Sequence, residues 1–214
     1  MRARAIVWIG MTVLAAMPMT AEGQTSVGVR GGVTRTKISG DDFSDASWGS
    51  GFTAGGFARV PLNDIVSIEV GVAYTAKGVK DTEGGEDVTL DLDYFEVPLV
   101  GVISIGTGGP VTPHLYAGPV FSFKNRCEVA IKGAMPQILG CDDPSFGGEL
   151  QTSSFDLGGL VGFGLSLDVG ARAALNFDGM FNFGFSSVDE IRIGQANRNR
   201  AFMVTAGVSY AIGG

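Results

Sequence analysis

Long hydrophobic runs are what this sequence most lacks. Beyond the start of its 214 residues, no uninterrupted apolar stretch reaches the roughly 20 residues that a transmembrane helix needs. A place in a membrane is then open only to a closed barrel, because in lipid only helices and barrels satisfy every backbone polar group. Positive charge is also scarce, with 15 Lys and Arg against 22 Asp and Glu and a net charge of −7. A nucleic-acid ligand requires a basic face, so nucleic acid is not expected as a partner. Histidine occurs once, at His114, and cysteine twice, at Cys127 and Cys141. Two thiols alone make a poor metal site, and nothing else calls for a metal or a cofactor. Proline numbers 8, whereas glycine numbers 34. So much glycine without a collagen repeat points to strands with tight curvature or a crowded interior.

The N-terminus reads as an export signal. Arg2 and Arg4 precede an apolar stretch from Ala5 to Met17, and the small residues of Ala21-Glu22-Gly23 suggest cleavage after Gly23. Pro18, Thr20 and Glu22 interrupt the run too early for a membrane anchor. The expected organisation is a signal peptide over 1–23 and one barrel domain over 24–214. Removing Arg2, Arg4 and Glu22 leaves 13 basic and 21 acidic residues, a mature charge of −8.

The remainder alternates with period two, the signature of strands with one apolar face. Val66, Ile68, Val70, Val72 and Tyr74 share one face; Ser67, Glu69, Gly71, Ala73, Thr75 and Lys77 share the other. The pattern recurs over 155–168, 172–185 and 202–212. Four further strands are expected near Val27–Arg35, Phe52–Val60, Val88–Ile105 and Thr112–Lys124, making eight. Within Val88–Ile105 the apolar residues change face, so a bulge is expected near Phe95–Pro98. Short turns at 61–64, 106–110 and 168–171 alternate with longer segments at 36–50, 79–87, 125–152 and 185–200. Outer-membrane barrels sort their connections in this way, with short turns inside and long loops outside.

Period two alone does not tell which face looks outward, since a lipocalin-like soluble barrel would bury its apolar rows. The rows themselves favour lipid. They are almost free of charge, whereas the opposite rows carry Arg30, Arg59, Glu69, Asp156, Arg172 and Asp178. Charges are costly against hydrocarbon but tolerable in a narrow lumen where acid meets base. Glycines on those rows, such as Gly158, Gly162 and Gly164, would make room for long side chains. Phe202 and Tyr210 bracket the last apolar row about 26 Å apart along the strand, roughly 20 Å in height after tilt. With Tyr74 they are expected in aromatic girdles. The expected fold is all-β: a single eight-stranded, antiparallel, up-and-down transmembrane barrel in a bacterial outer membrane.

Several stretches carry a family likeness: Gly51-Phe52-Thr53-Ala54-Gly55-Gly56-Phe57 with Pro61-Leu62, Asp93-Tyr94-Phe95-Glu96-Val97-Pro98-Leu99, Pro113-His114-Leu115-Tyr116-Ala117-Gly118-Pro119 and Phe155-Asp156-Leu157-Gly158. The chain resembles the outer-membrane β-barrel domain of PorT-like and small porin-family proteins, related in architecture to OmpA and OmpX. The resemblance implies fold and location and supplies no catalytic residues. It also implies contact with the lipid bilayer, lipopolysaccharide and the outer-membrane assembly machinery, with a monomer as the expected state. Such barrels often end on an aromatic residue, whereas here Tyr210 is followed by Ala211-Ile212-Gly213-Gly214.

Cys127 and Cys141 fall in the longest outer loop and are expected to form a disulfide, with free thiols as the alternative. His114 has no serine or acid near it in sequence; Ser122 shares its face but lies eight residues away, so an enzyme is not expected. Asp41-Asp42-Phe43-Ser44-Asp45 lacks calcium-loop spacing, and Asp41, Asp42, Asp45, Asp142 and Asp143 read as solvated loop charge. Arg198 and Arg200 stand where lipid phosphates or solvent would meet them. The inward charges Arg30, Arg59, Glu69, Asp156, Arg172 and Asp178 are expected to form a network that fills the lumen. The leading expectation for function is a structural or interaction role in the envelope; the alternatives are a narrow solute channel and, below it, a lipid-modifying enzyme.

Overall fold

In a computed structural model of the chain, residues 24–39, 49–83, 86–132, 137–141, 154–185 and 198–213 are described. The expected signal segment and the acidic residues at 41–45 and 142–143 lie outside them. The described chain forms nine strands: β1 Thr25–Ser39, β2 Gly49–Pro61, β3 Val66–Glu83, β4 Glu86–Ser104, β5 Val111–Lys132, β6 Gln137–Gly140, β7 Phe155–Asp168, β8 Ala173–Gly184 and β9 Arg198–Ile212. All pair antiparallel. Eight of them close a ring in the order β1-β2-β3-β4-β5-β7-β8-β9, with β9 returning to β1 from Thr25↔Ile212 to Ser39↔Arg198. The ninth, β6, had no counterpart in the sequence pattern. Among the described residues it pairs only with the outer end of β5, from Glu128↔Gly140 to Ile131↔Gln137.

The described N- and C-terminal strand ends lie beside the three short turns, as the chain pairings Ser26↔Arg59 and Ser26↔Ala211 require. Two of the turns have a visible local cause. The Asn63 side-chain oxygen accepts from the Ile65 and Val66 amides at 2.9 and 2.8 Å, an Asx-type closure. Gly108 takes a φ of 70° in the turn before β5, where a side chain would be strained.

Accessibility decides which way the pleat faces. Val29, Val33, Val72 and Phe163 are 58–64% exposed on the outer wall. Glu69, Thr75, Lys77, His114, Asn176, Asp178 and Thr205 are buried inside. A soluble barrel would reverse this arrangement, and a continuous apolar outer wall is stable only against lipid. Aromatic side chains gather at its outer edge. Phe52, Tyr74 and Phe95 follow one another at 5.7 Å between ring centroids, Phe123 meets Phe155 at 5.4 Å, and Phe181, Phe183 and Phe185 form a third group.

Two local expectations need correction. No re-phasing occurs at Phe95–Pro98: Leu92, Tyr94, Val100 and Val102 all point inward, while Phe95, Leu99 and Ile103 point outward. The interior simply accepts apolar side chains on that strand. The irregularity lies instead on β5, where Asp93↔Arg126 is followed by Tyr94↔Lys124 and Asn125 is the extra residue. Nor is 79–87 a long loop. The pairing runs on through Val79↔Leu90 to Glu83↔Glu86, because backbone bonding continues where the side-chain pattern turns polar. With β5 at 22 residues, or ~70 Å of extended chain, β3–β6 stand well beyond the membrane band on one side of the barrel.

Candidate functional site: two charge clusters in the lumen

Inside the barrel, polar side chains meet in two groups separated by an apolar layer. The inner group lies towards the short turns. Arg59 on β2 donates through Nε and Nη2 to Glu69 Oε2 on β3 at 3.0 and 2.8 Å. Arg30 on β1 donates to the other Glu69 oxygen, and its Nη1 stands 3.6 Å from Asp178 Oδ2 on β8. Phe57 lies beneath both guanidinium groups, 4.5 Å from Arg30 and 5.9 Å from Arg59. The Oδ1 of Asp178 meets His114 Nε2 at 2.9 Å. Two guanidinium groups thus face two carboxylates, so their formal charges balance, and the imidazole lies against the second carboxylate.

Glycine makes this density possible. A Cβ on Gly164 would run into Asp178 and His114, and one on Gly162 would lie 2.5 Å from the Tyr116 ring. Gly162 and Gly164 of β7 thus stand opposite large inward groups, as the crowded interior required.

The outer group is built around one carboxylate. Glu96 on β4 accepts from Lys77 Nζ at 2.7 Å, Thr75 Oγ1 at 2.8 Å, Asn182 Nδ2 at 3.2 Å and Ser122 Oγ at 3.3 Å. Lys77 also lies 4.8 Å from the Tyr94 ring centroid. Val100, Val102, Tyr116, Val120, Leu160, Met180 and Met203 fill the layer between the groups. A cavity of about 40 Å³ remains there, touching Glu69 on one side and Glu96 on the other. That is room for about three water molecules. At the inner mouth a wider recess of about 300 Å³ is lined by Arg59, Ser166, Asp168, Arg172, Asn176 and Ser209.

The sequence-predicted residues therefore divide. Arg30, Arg59, Glu69 and Asp178 come together. Arg172 does not: it sits in the turn before β8, exposed at the inner mouth, where the pleat no longer fixes which way a side chain points. Asp156 also lies apart from that group, on β7 opposite Ser122 and near Tyr94. Phe202 and Tyr210 project from the outer wall, and Tyr74 does so while donating to Asp93 Oδ2 at 2.5 Å. Cys127 and Cys141 form a disulfide, with Cα atoms 5.5 Å apart, that ties β5 to the residue after β6.

Sequence reasoning missed Lys77, Glu96, Ser166 and Asn182. Their inward parity was visible, but not which strands would bring them together. Ser166 matters because it puts a hydroxyl 3.5 Å from His114 Nδ1, giving the histidine both an acid and a hydroxyl. Ser166 donates to Asn176 Oδ1 at 2.8 Å instead, and the 1%-exposed imidazole is sealed behind Gly164. The ring is thus buried among polar partners, while the second oxygen of Asp178 has only the 3.6 Å approach of Arg30.

A closed eight-stranded wall, apolar outside and self-neutralised within, defines an integral outer-membrane β-barrel. The chain belongs to the outer membrane protein beta-barrel domain family, which matches residues 20–190, and its place is the bacterial outer membrane. Among solved structures it is similar to Neisserial surface protein A (NspA), with 18% identity and a TM-score of 0.50 over 89% of this chain and 100% of that one. It is also similar to a major outer membrane protein from Thermus thermophilus, with 12% identity and a TM-score of 0.51 over 89% of this chain and 100% of that one. These likenesses show the shared fold. No curated protein sequence matches it.

Proposed function

We propose that this protein is a structural or interaction component of the outer membrane and not an enzyme. In this reading the lumen charges pin the wall, and the outer face meets lipopolysaccharide or external partners. The carrying observation is the pair of neutral clusters with seven apolar side chains packed between them. A pore built for solutes has little use for such a plug. The protein acts as a monomer, enters the membrane through the assembly machinery with Tyr210 as its terminal aromatic signal, and loses residues 1–23 on export. Purified in its folded form, it should migrate faster unheated than heated, fractionate with outer membranes and begin at Gln24 by N-terminal sequencing. Recovery from the soluble periplasm would overturn the reading.

A narrow channel is the second reading, favoured by the small cavity that touches both Glu69 and Glu96. Planar-bilayer recordings separate the two. The structural reading expects no unitary conductance, and steps that grow on replacing Met180 and Met203 by alanine would establish the channel.

A further inference from the structure

The outer wall is not uniformly apolar at its outer edge. On the seam between β1 and β9, Arg35 pairs with Phe202, Lys37 with Arg200 and Ser39 with Arg198. Arg35 and Arg200 are exposed, and neither has an ion-pair partner among the described residues. Lys37 and Arg198 occupy the next positions of the same two rows. Among the described residues of the flanking strands β2 and β8, the acid is Asp178, which points into the lumen.

Diagonal neighbours on paired strands lie about 7–8 Å apart, within reach of long side chains, and like charges there repel. Arg35 stands diagonal to Arg200 across the seam, setting positive charge near positive charge in a chain of net charge −7. The other flank is balanced: Arg126 donates to Glu128 at 2.6 Å, beside Asp93 held by Tyr74. A multivalent anion relieves the repulsion on the seam. Its source follows from what lies directly below, where Val33, Phe52, Phe202 and Val204 are all outward and exposed. Acyl chains fit that surface, and aromatic collars mark the headgroup level.

We infer that the outer end of the β1–β9 seam is a binding site for a phosphorylated lipid of the outer leaflet, its phosphate held by Arg35 and Arg200 and its acyl chains lying on the Phe52–Phe202 wall. This rests on the outer-membrane location and gives a specific place to the lipopolysaccharide contact proposed above.

The test uses the refolded mature chain in detergent with three probes: diphosphorylated lipid A, the same lipid stripped of phosphate, and inorganic phosphate. Bound lipid is counted by native mass spectrometry. Wild type should retain diphosphorylated lipid A in preference to the stripped form. Arg35→Ala with Arg200→Ala should weaken retention about thirtyfold, roughly fivefold for each cation near the surface. Arg35→Lys with Arg200→Lys should keep it within about threefold, and Arg126→Ala on the balanced flank should leave it unchanged. Heat-dependent gel mobility establishes that each variant is folded, and Arg200→Glu alone serves if the double variant does not fold. Equal retention of the stripped lipid, an unchanged double variant, or equal occupancy by inorganic phosphate would each overturn the site. Those results would leave the structural reading intact, since fractionation and conductance do not depend on them.

Discussion

The two lumen clusters satisfy buried charge in different ways. The inner one sets ion against ion: Arg30 and Arg59 share Glu69, while Asp178 stands between Arg30 and His114. The outer one surrounds the single carboxylate of Glu96 with one cation and three neutral donors. An ion-for-ion arrangement fails badly when one member is lost, because the remaining charges stay buried and uncompensated. A carboxylate with several neutral donors keeps most of its hydrogen bonds when its cation goes. The outer cluster is thus the more forgiving, although both are neutral.

Mutations can break that contrast. Glu69→Leu should have the largest effect, leaving two largely buried guanidinium groups face to face; a loss of about 3–5 kcal/mol is expected in urea unfolding from lipid vesicles. Gly164→Ala comes next, since its new methyl collides with His114 and Asp178; about 1–3 kcal/mol is expected, with a lower heating temperature for the gel-mobility change. Lys77→Met should cost about 1–2 kcal/mol in the same unfolding assay, because Thr75, Ser122 and Asn182 still donate to Glu96. Ser122→Ala should cost least, under about 1 kcal/mol, its bond being long at 3.3 Å. If Lys77→Met proved as damaging as Glu69→Leu, the distinction between the clusters would collapse.

Much of the wall was legible in the sequence. Val66, Ile68, Val70, Val72 and Tyr74 could be assigned to one face, and the charge-free rows could be assigned to lipid, because a strand fixes parity locally. Phe202 and Tyr210 were legible for the same reason. What parity does not carry is the partner across the ring. His114 and Asp178 are 64 residues apart, and Glu96 and Asn182 are 86 apart. Their meeting depends on the register of every strand between them. Arg172 was misplaced because the alternation was extended one residue past β8 into a turn. The overrun of β3, β4 and β5 was hidden because backbone pairing outlasts the apolar pattern that announces it.

The inner cluster draws its members from β1, β2, β3, β5 and β8, so it is complete only when the first and last parts of the chain stand side by side. A half-rolled sheet carries stranded ions. A cylinder closed with one stave too few would bring Arg30 to the wrong neighbour. The same side chains that fill the finished vessel therefore act as a fit gauge during its construction, favouring the one circumference at which every ion finds its mate.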